Sequence, residues 1–351
     1  PEDERLRLTA AALEGYTARP VNSAVPLQQR VETPRQIEVA YAASKGEKRA
    51  LFTVNWLLGE RGDVHQALLM EMLEHILEGL PGSPLRKALI ASGLGEDTTG
   101  CGLETDLRQM YYSTGLKGVA PRDVQQAELL IFDTLAQLAE EGIPRSAVEA
   151  AVNSVEFAYR ENNSGRFPRG LSAMVQSLTT WLYDGDPLAP LAWEAPLKAL
   201  KARIEAGEPV FEQAIKDWFL NNEHRATVIL LPDAKLGQMR DDAEKARVDA
   251  VQAAASPAER TRMVEETTRL MEAQEAPDSP EALATIPALG LEDLPRENAS
   301  IPRAQAELPE TYLTHELPTQ GIAYTTLLLP LSNVPDRLVP LLPIFTRSLT
   351  E

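Results

Sequence analysis

Residues 35–41 (RQIEVAY) alternate polar and apolar, the two-residue period of a strand with one covered face. After a polar turn over 44–48 that contains Gly46, residues 49–58 (RALFTVNWLL) predict a second, more buried strand. Gly62-Asp63 then opens a long apolar-rich stretch over 64–80, with helical spacing at Ala67, Met70, Glu71, Glu74 and Leu77. Pro81-Gly82-Ser83-Pro84 breaks that helix. Ser83 is placed to cap a short one running to residue 92, with Pro84 in its first turn and Gly93-Leu94-Gly95 at its end. Residues 101–106 and 109–119 predict a strand pair. Residues 123–141 form an amphipathic pattern stopped by Gly142, and Pro144 precedes a further helix over 145–160. Residues 171–220 read as helical, interrupted at 184–187 (DGDP) and 207–209 (GEP); 224–231 (HRATVILL) predict a last strand closed by Pro232. Two strands, helices, two strands, several helices and a final strand make an α+β fold, an antiparallel or mixed sheet packed against helices.

The flanking regions have a different texture. Residues 2–16 predict a short helix with Leu6, Leu8 and Leu13, and the proline-bearing stretch 16–34 predicts an irregular linker. Residues 233–255 and 257–274 are charged and alanine-rich, with Ser256-Pro257 as a natural turn and helix start, so they predict a helical hairpin. Residues 276–309 are rich in proline and acidic side chains and predict an extended connector. Residues 311–316 and 322–329 (IAYTTLLL) predict a β-hairpin around 318–321 (PTQG), followed by the start of an apolar helix over 338–349. A hydrophobic hairpin and half a helix make a poor independent unit. The chain is therefore expected either to be cut within a larger protein or to pack this tail on its first domain.

Composition narrows the classes of function. At 351 residues and 44% hydrophobic content, the chain is long enough for about two domains with a sizeable core. A net charge of −18 without any run of five or more Lys/Arg argues against nucleic acid as a partner. The same charge is compatible with steering basic peptides or simply with solubility. No apolar run of about 20 residues offers a membrane span, and the opening Pro1-Glu2-Asp3-Glu4 is unlike a secretory signal. A single cysteine, Cys101, excludes an internal disulfide framework and a cysteine-rich zinc site. It fits a reducing compartment, a bacterial cytoplasm or an organelle in a eukaryote.

Three segments together resemble the presequence-protease branch of the pitrilysin/insulinase zinc metallopeptidases. They are residues 79–95 (GLPGSPLRKALIASGLG), residues 183–187 (YDGDP), and residues 274–281 (QEAPDSPE) followed by 283–287 (LATIP). The order and spacing match across nearly the whole chain. The resemblance implies two halves hinged around a closed chamber, each half carrying two homologous α+β domains, with a helical hairpin joining the halves. It places 1–15 on a helix from a preceding domain, 16–232 on a second, inactive metallopeptidase-like domain, and 233–276 on the joining hairpin. It places 277–309 on a connector and 310–351 on the start of a third such domain. The zinc-bearing first domain would lie outside this sequence, so zinc is expected in the parent enzyme and no cofactor in this chain. The remaining domains of the parent are the implied partners. The implied substrates are unstructured peptides held by strand addition at a sheet edge.

Such enzymes bind zinc through H-x-x-E-H on a helix, whose two histidines hold the metal while the glutamate activates water. A further glutamate downstream completes three protein ligands. Here the corresponding helix reads Glu71-Met72-Leu73-Glu74-His75: the base and the second histidine are matched, and Glu71 stands where the first histidine would be. Glu149 and Glu156 lie on the helix where the third ligand belongs. Three readings stay open: ordinary residues on a partly exposed helix, an eroded copy of the motif left by domain duplication, or a surviving metal site built from Glu71, His75 and Glu149. His65, His224 and His315 supply no such spacing, so no complete site is expected and the chain alone is expected to be inactive.

Other chemistry-bearing residues have simpler readings beside the functional one. Cys101 between Gly100 and Gly102 could be a nucleophile, but a small strand-edge cysteine explains it as well. Asp97, Glu104 and Asp106 could bind a cation or line a solvated loop, and Trp181, Trp193 and Trp218 could cage a ligand or anchor a core. No phosphate-binding or dinucleotide-binding glycine fingerprint occurs. Three functions follow: a non-catalytic wall and hinge segment of a peptidase, a stand-alone interaction module that self-associates through an exposed apolar face, or a weak autonomous metal-dependent hydrolase.

Overall fold

The computed structural model describes all residues except 1, 18, 81, 287, 299, 307–311, 350 and 351, and omits the side chains of 305, 306 and 312. Pro81 of the glycine-proline motif, Pro287 and Thr311 thus lie outside the described residues. The chain forms two compact units, residues 1–295 and 296–351.

The first unit opens with α1 (Glu2–Leu13), which buries no side chain, and an irregular stretch that leads into β1 (Arg35–Ala42). β2 (Ala50–Glu60), α2 (Val64–Leu77), α3 (Pro84–Ala91), β3 (Asp97–Glu104) and β4 (Gln109–Val119) follow. Then come α4 (Val124–Glu141), α5 (Arg145–Glu161), α6 (Arg169–Trp181), α7 (Glu194–Glu205) and α8 (Val210–Ile215). α8 runs into a π-helical turn, Lys216–Leu220, before β5 (Arg225–Asp233). The five strands form one sheet in the order β1-β5-β2-β4-β3. β1 and β5 are parallel and every other pair is antiparallel, which is the mixed sheet that the sequence predicts.

Position in the sheet explains what each strand can bury. β2 lies between β5 and β4, and its alternate residues Ala50, Phe52, Val54, Trp56 and Leu58 are all buried. Trp56 is held edge-on against Phe132 and Phe219, with ring centroids 5.7 and 5.2 Å apart, and its indole Nε1 donates to the Phe219 carbonyl at 3.0 Å. Buried apolar side chains of α2, α4, α5, α7 and α8 complete this core. β1 departs from the sequence reading. Its alternation predicts a half-covered strand, yet it pairs only with β5, and Ile37 and Val39 remain 42% and 45% exposed. β3 begins at Asp97, four residues before the predicted start, and is irregular between Thr99 and Gly102.

The helical hairpin is present as α9 (Leu236–Ala254) and α10 (Pro257–Glu275). Ser256 caps α10 in a reciprocal box with Glu259, each satisfying the other's backbone N–H. Neither helix has a buried residue, as their charged, alanine-rich sequences dictate. A short α11 (Pro280–Leu283) interrupts the segment predicted to be extended.

In the second unit, β6 (Ala304–Ala306) pairs antiparallel with β7 (Tyr312–Thr314), and α12 (Leu342–Ser348) follows a 3-10 segment, Asp336–Leu341. The predicted hairpin around 318–321 does not form: β7 takes its partner from the N-terminal side, and residues 322–329 carry no strand. Their leucines Leu327, Leu328 and Leu329 are exposed, and among the described residues the apolar run has no sheet neighbour.

Candidate functional site

α2 starts where Asp63 accepts from the backbone N–H of Gln66 at 3.1 Å. Its apolar side chains Ala67, Leu68, Met70, Met72, Leu73, Ile76 and Leu77 are buried. Glu71, Glu74 and Glu78 recur at spacings of three and four, so they form a carboxylate row along one face of the helix. All three are half-buried.

Each carboxylate meets a different environment. Glu78 accepts the Tyr112 and Thr114 hydroxyls of β4, both at 2.7 Å. Glu71 accepts the Tyr159 hydroxyl of α5 at 2.7 Å and lies 3.6 Å from the Arg61 guanidinium, an ion pair whose side chains are only 10% and 22% exposed. Glu74 lies between them beside Gly102 of β3, where a Cβ would come within 3.0 Å of its Oε1 and where φ is +65°. The positive φ is what favours glycine there, since the Glu74 side chain could give way. Burial raises all three carboxyls above the ordinary glutamate range. For Glu71 the Tyr159 hydrogen bond and Arg61 oppose the rise, and for Glu78 the Thr114 and Tyr112 hydrogen bonds do so. For Glu74 the neighbouring charges of Glu78 and Glu71 add to it. Tyr159 and Tyr112 are both pushed up, first by burial and then by the carboxylates they face.

His75 closes the row. Its Nε2 is buried without a hydrogen-bond partner, and its Nδ1 would lie 2.6 Å from any Cβ at residue 79, so Gly79 is required there. Its carbonyl accepts the Ser83 hydroxyl at 3.2 Å, and Ser83 Oγ accepts from the Leu80 N–H at 3.1 Å. The sequence predicts Ser83 as the side-chain cap of α3, but its hydroxyl makes no bond to the N–H groups of that helix. It clasps the end of α2 instead.

This donor set does not fit a zinc site. The cation beside Glu71 is a guanidinium, and the side chain that α5 turns toward Glu71 is Tyr159, a phenol whose proton is held by burial. Glu149 is exposed and pairs with Arg145 on its own helix at 2.8 Å. It lies ten residues, about 15 Å of helix, before Tyr159. Glu156 points to Arg160 at 2.7 Å and Lys201 at 2.8 Å, and the Lys201 bond first of all lowers its pKa. Among the described residues no three His, Cys, Asp or Glu side chains converge to hold a metal ion.

The remaining candidates are dispersed. Cys101 is exposed on β3, and Tyr111 beside it is pushed up to about 12, chiefly by a hydrogen bond with that thiol. Asp97 and Glu104 stand at opposite ends of β3, roughly 20 Å apart in an extended strand. Asp97 pairs with Lys117 at 3.1 Å, and Glu104 accepts the Asp106 N–H at 2.8 Å, so the three acids form no cluster. Trp193 and Trp218 pack against the core, but Trp181 is 62% exposed and anchors nothing. It ends an apolar row on α6: Leu171, Met174, Val175 and Trp181 are exposed at the spacing of one helix face, with Leu178 half-buried among them and exposed Leu182 following as the C-cap residue. Sequence reasoning missed Arg61, Tyr159 and Glu78. Glu78 was readable as the next step of the 71/74 period. Nothing local marks Arg61 or Tyr159, which reach the row from a turn and from α5.

Residues 1–155 match the family model described as "Peptidase M16 inactive domain", and residues 230–351 match the model of the domain associated with subfamily C of the same peptidases. Presequence protease 1, chloroplastic/mitochondrial, of Arabidopsis thaliana is 40% identical over 99% of this chain. The chain belongs to the M16 peptidases. Protein HypA of Clostridium perfringens is 27% identical to this M16 chain over 93% of its length. The chain covers 33% and 34% of these two relatives, so it spans about a third of the proteins it resembles. A solved structure of a protease from Helicobacter pylori shares the fold, with a TM-score of 0.51 and 12% identity over 66% of this chain and 53% of its own.

Proposed function

We propose that this chain is a non-catalytic wall and hinge segment of a larger M16 metallopeptidase that degrades unstructured peptides. The observation that carries the proposal is the exposed apolar face of α6. Solvated helices turn such a row inward, and a contiguous apolar row left in water marks a surface made for another part of a protein. We assign its occupant to the part of the parent that lies outside this third of the length. On this reading residues 16–232 form a wall domain, 233–276 the joining hairpin, 277–309 the connector and 310–351 the start of a third domain. Zinc and the peptide-cleaving residues then belong to the missing first domain. The names of the relatives, presequence proteases of mitochondria and chloroplasts, support unstructured targeting peptides as substrates. They also support an organelle as the location, with a bacterial cytoplasm as the alternative.

The test is reconstitution. The purified chain should leave unstructured peptides uncut, and size exclusion should show concentration-dependent self-association that disappears when the remaining domains of the parent are added. Val175→Asp should weaken that association more than tenfold while leaving the circular dichroism spectrum unchanged. Peptide cleavage by the chain alone, or self-association that persists beside the other domains, would overturn the proposal in favour of an autonomous hydrolase or a stand-alone interaction module.

A further inference from the structure

We propose that Arg61 is the resident cation of the α2 site: its guanidinium takes the place beside Glu71 that a divalent metal ion would need, and so keeps metal out. Arg61 lies in the turn after β2, with its backbone N–H donating to the Arg108 carbonyl at 3.0 Å, and the whole residue is 8% exposed. A buried guanidinium is retained only against a compensating charge, and here the carboxylate is Glu71, 3.6 Å away. Tyr159 fixes the other oxygen of that carboxylate from α5.

With Arg61 in place no three metal-binding side chains converge among the described residues, yet one imidazole nitrogen on the helix is unused. Among the described residues neither Arg61 Nε nor His75 Nε2 has a hydrogen-bond partner, and only the imidazole nitrogen can ligate a metal. The helix therefore still carries two carboxylates and one free imidazole nitrogen at positions 71, 74 and 75, the residue types that bind divalent ions. What opposes an ion is a fixed positive charge already beside Glu71, which repels a second cation and holds that carboxylate away from the other two donors. Without the guanidinium, the row of Glu71, Glu74 and Glu78 keeps three acidic groups with no cation beside Glu71 or Glu74. A divalent ion is the simplest replacement. The inference concerns only this helix and is independent of whether α6 docks against another domain.

The test uses the intact chain, freed of metal with a chelating resin, and titrates it with Co(II), followed by visible absorption and by the thermal midpoint. The wild-type chain and Arg61→Lys should bind less than a tenth of an equivalent and show no shift in midpoint. Arg61→Met should bind about one equivalent, at least a tenfold increase, and its midpoint should rise with cobalt. Adding Glu71→Gln to Arg61→Met should abolish that uptake. Stoichiometric cobalt in the wild-type chain would overturn the proposal, and so would a folded Arg61→Met chain that takes up none. If Arg61→Met does not fold alone, refolding with and without Zn(II) decides: recovery only with zinc supports the proposal, and no recovery in either condition overturns it.

Discussion

α2 and α6 break the usual division between inside and outside in opposite directions. α2 draws a row of carboxylates into the body of the domain, whereas α6 leaves a row of leucine, methionine, valine and tryptophan in water. The two violations are resolved differently. Two of the α2 acids have partners within reach: Glu78 has two β4 hydroxyls, and Glu71 has a phenol and a guanidinium. Among the described residues the α6 row has no such cover. The contrast separates a site closed upon itself from a surface that needs something else to complete it. The acids of α2 are answered from inside the domain, while the apolar side chains of α6 stay exposed.

If that contrast is sound, substitutions on the two helices should differ sharply in their cost. Glu71→Gln should be the most damaging, because it leaves Arg61 buried without its counter-charge. Breaking a buried pair from one side costs about 3 kcal/mol or more, read as a drop in the urea midpoint at unchanged slope. A loss below roughly 1 kcal/mol, the scale of an exposed pair, would show that Arg61 is not held by Glu71.

Glu74→Gln should act in the other direction. Among the described residues no hydrogen bond reaches the Glu74 carboxylate, and its pKa is raised by burial and by Glu78 and Glu71. A raised carboxyl contributes its stability as the neutral acid. That contribution is full below the ordinary glutamate value of about 4.3 and is lost as pH rises through the folded-state value. The amide should therefore stabilise the chain at neutral pH by about 0.5 kcal/mol, the scale of a like-charge pair one turn apart. The advantage should vanish as pH falls toward about 4, the ordinary glutamate value. Stability curves for the two proteins that stay parallel across this range would contradict the assignment.

Val175→Ser on α6 should change stability least, within about 0.5 kcal/mol, because the side chain is already in water. A cost of about 2 kcal/mol by the same urea measurement, the scale of a buried apolar side chain, would mean that α6 is packed in solution and is no docking face.

Much of the framework was legible because it rests on local pattern. The alternation of β2, the period of α4, and the Gly142/Pro144 boundary are statements about neighbours in sequence, and each element lies where the pattern puts it. Errors arose where an element's neighbour decides its state. β1 alternates like a covered strand but has no cover, and β7 pairs with β6 rather than with residues 322–329. The row on α2 was half legible in the same sense. Glu71, Glu74 and His75 are visible as a spacing, but Glu71's fate depends on Arg61, ten residues earlier, and on Tyr159, 88 residues later. Glu149 and Glu156 look like a third ligand by distance along the chain, and helix geometry turns both toward bases instead.

The serine of the glycine-proline segment shows what that segment does without any reaction. By tying the carbonyl of residue 75 to the loop that follows, Ser83 sets where α2 stops, and hence where Glu78 meets the two β4 hydroxyls. The glycine-proline stretch is, in this chain, a splint: it fixes the end of one helix against the strand that the helix meets.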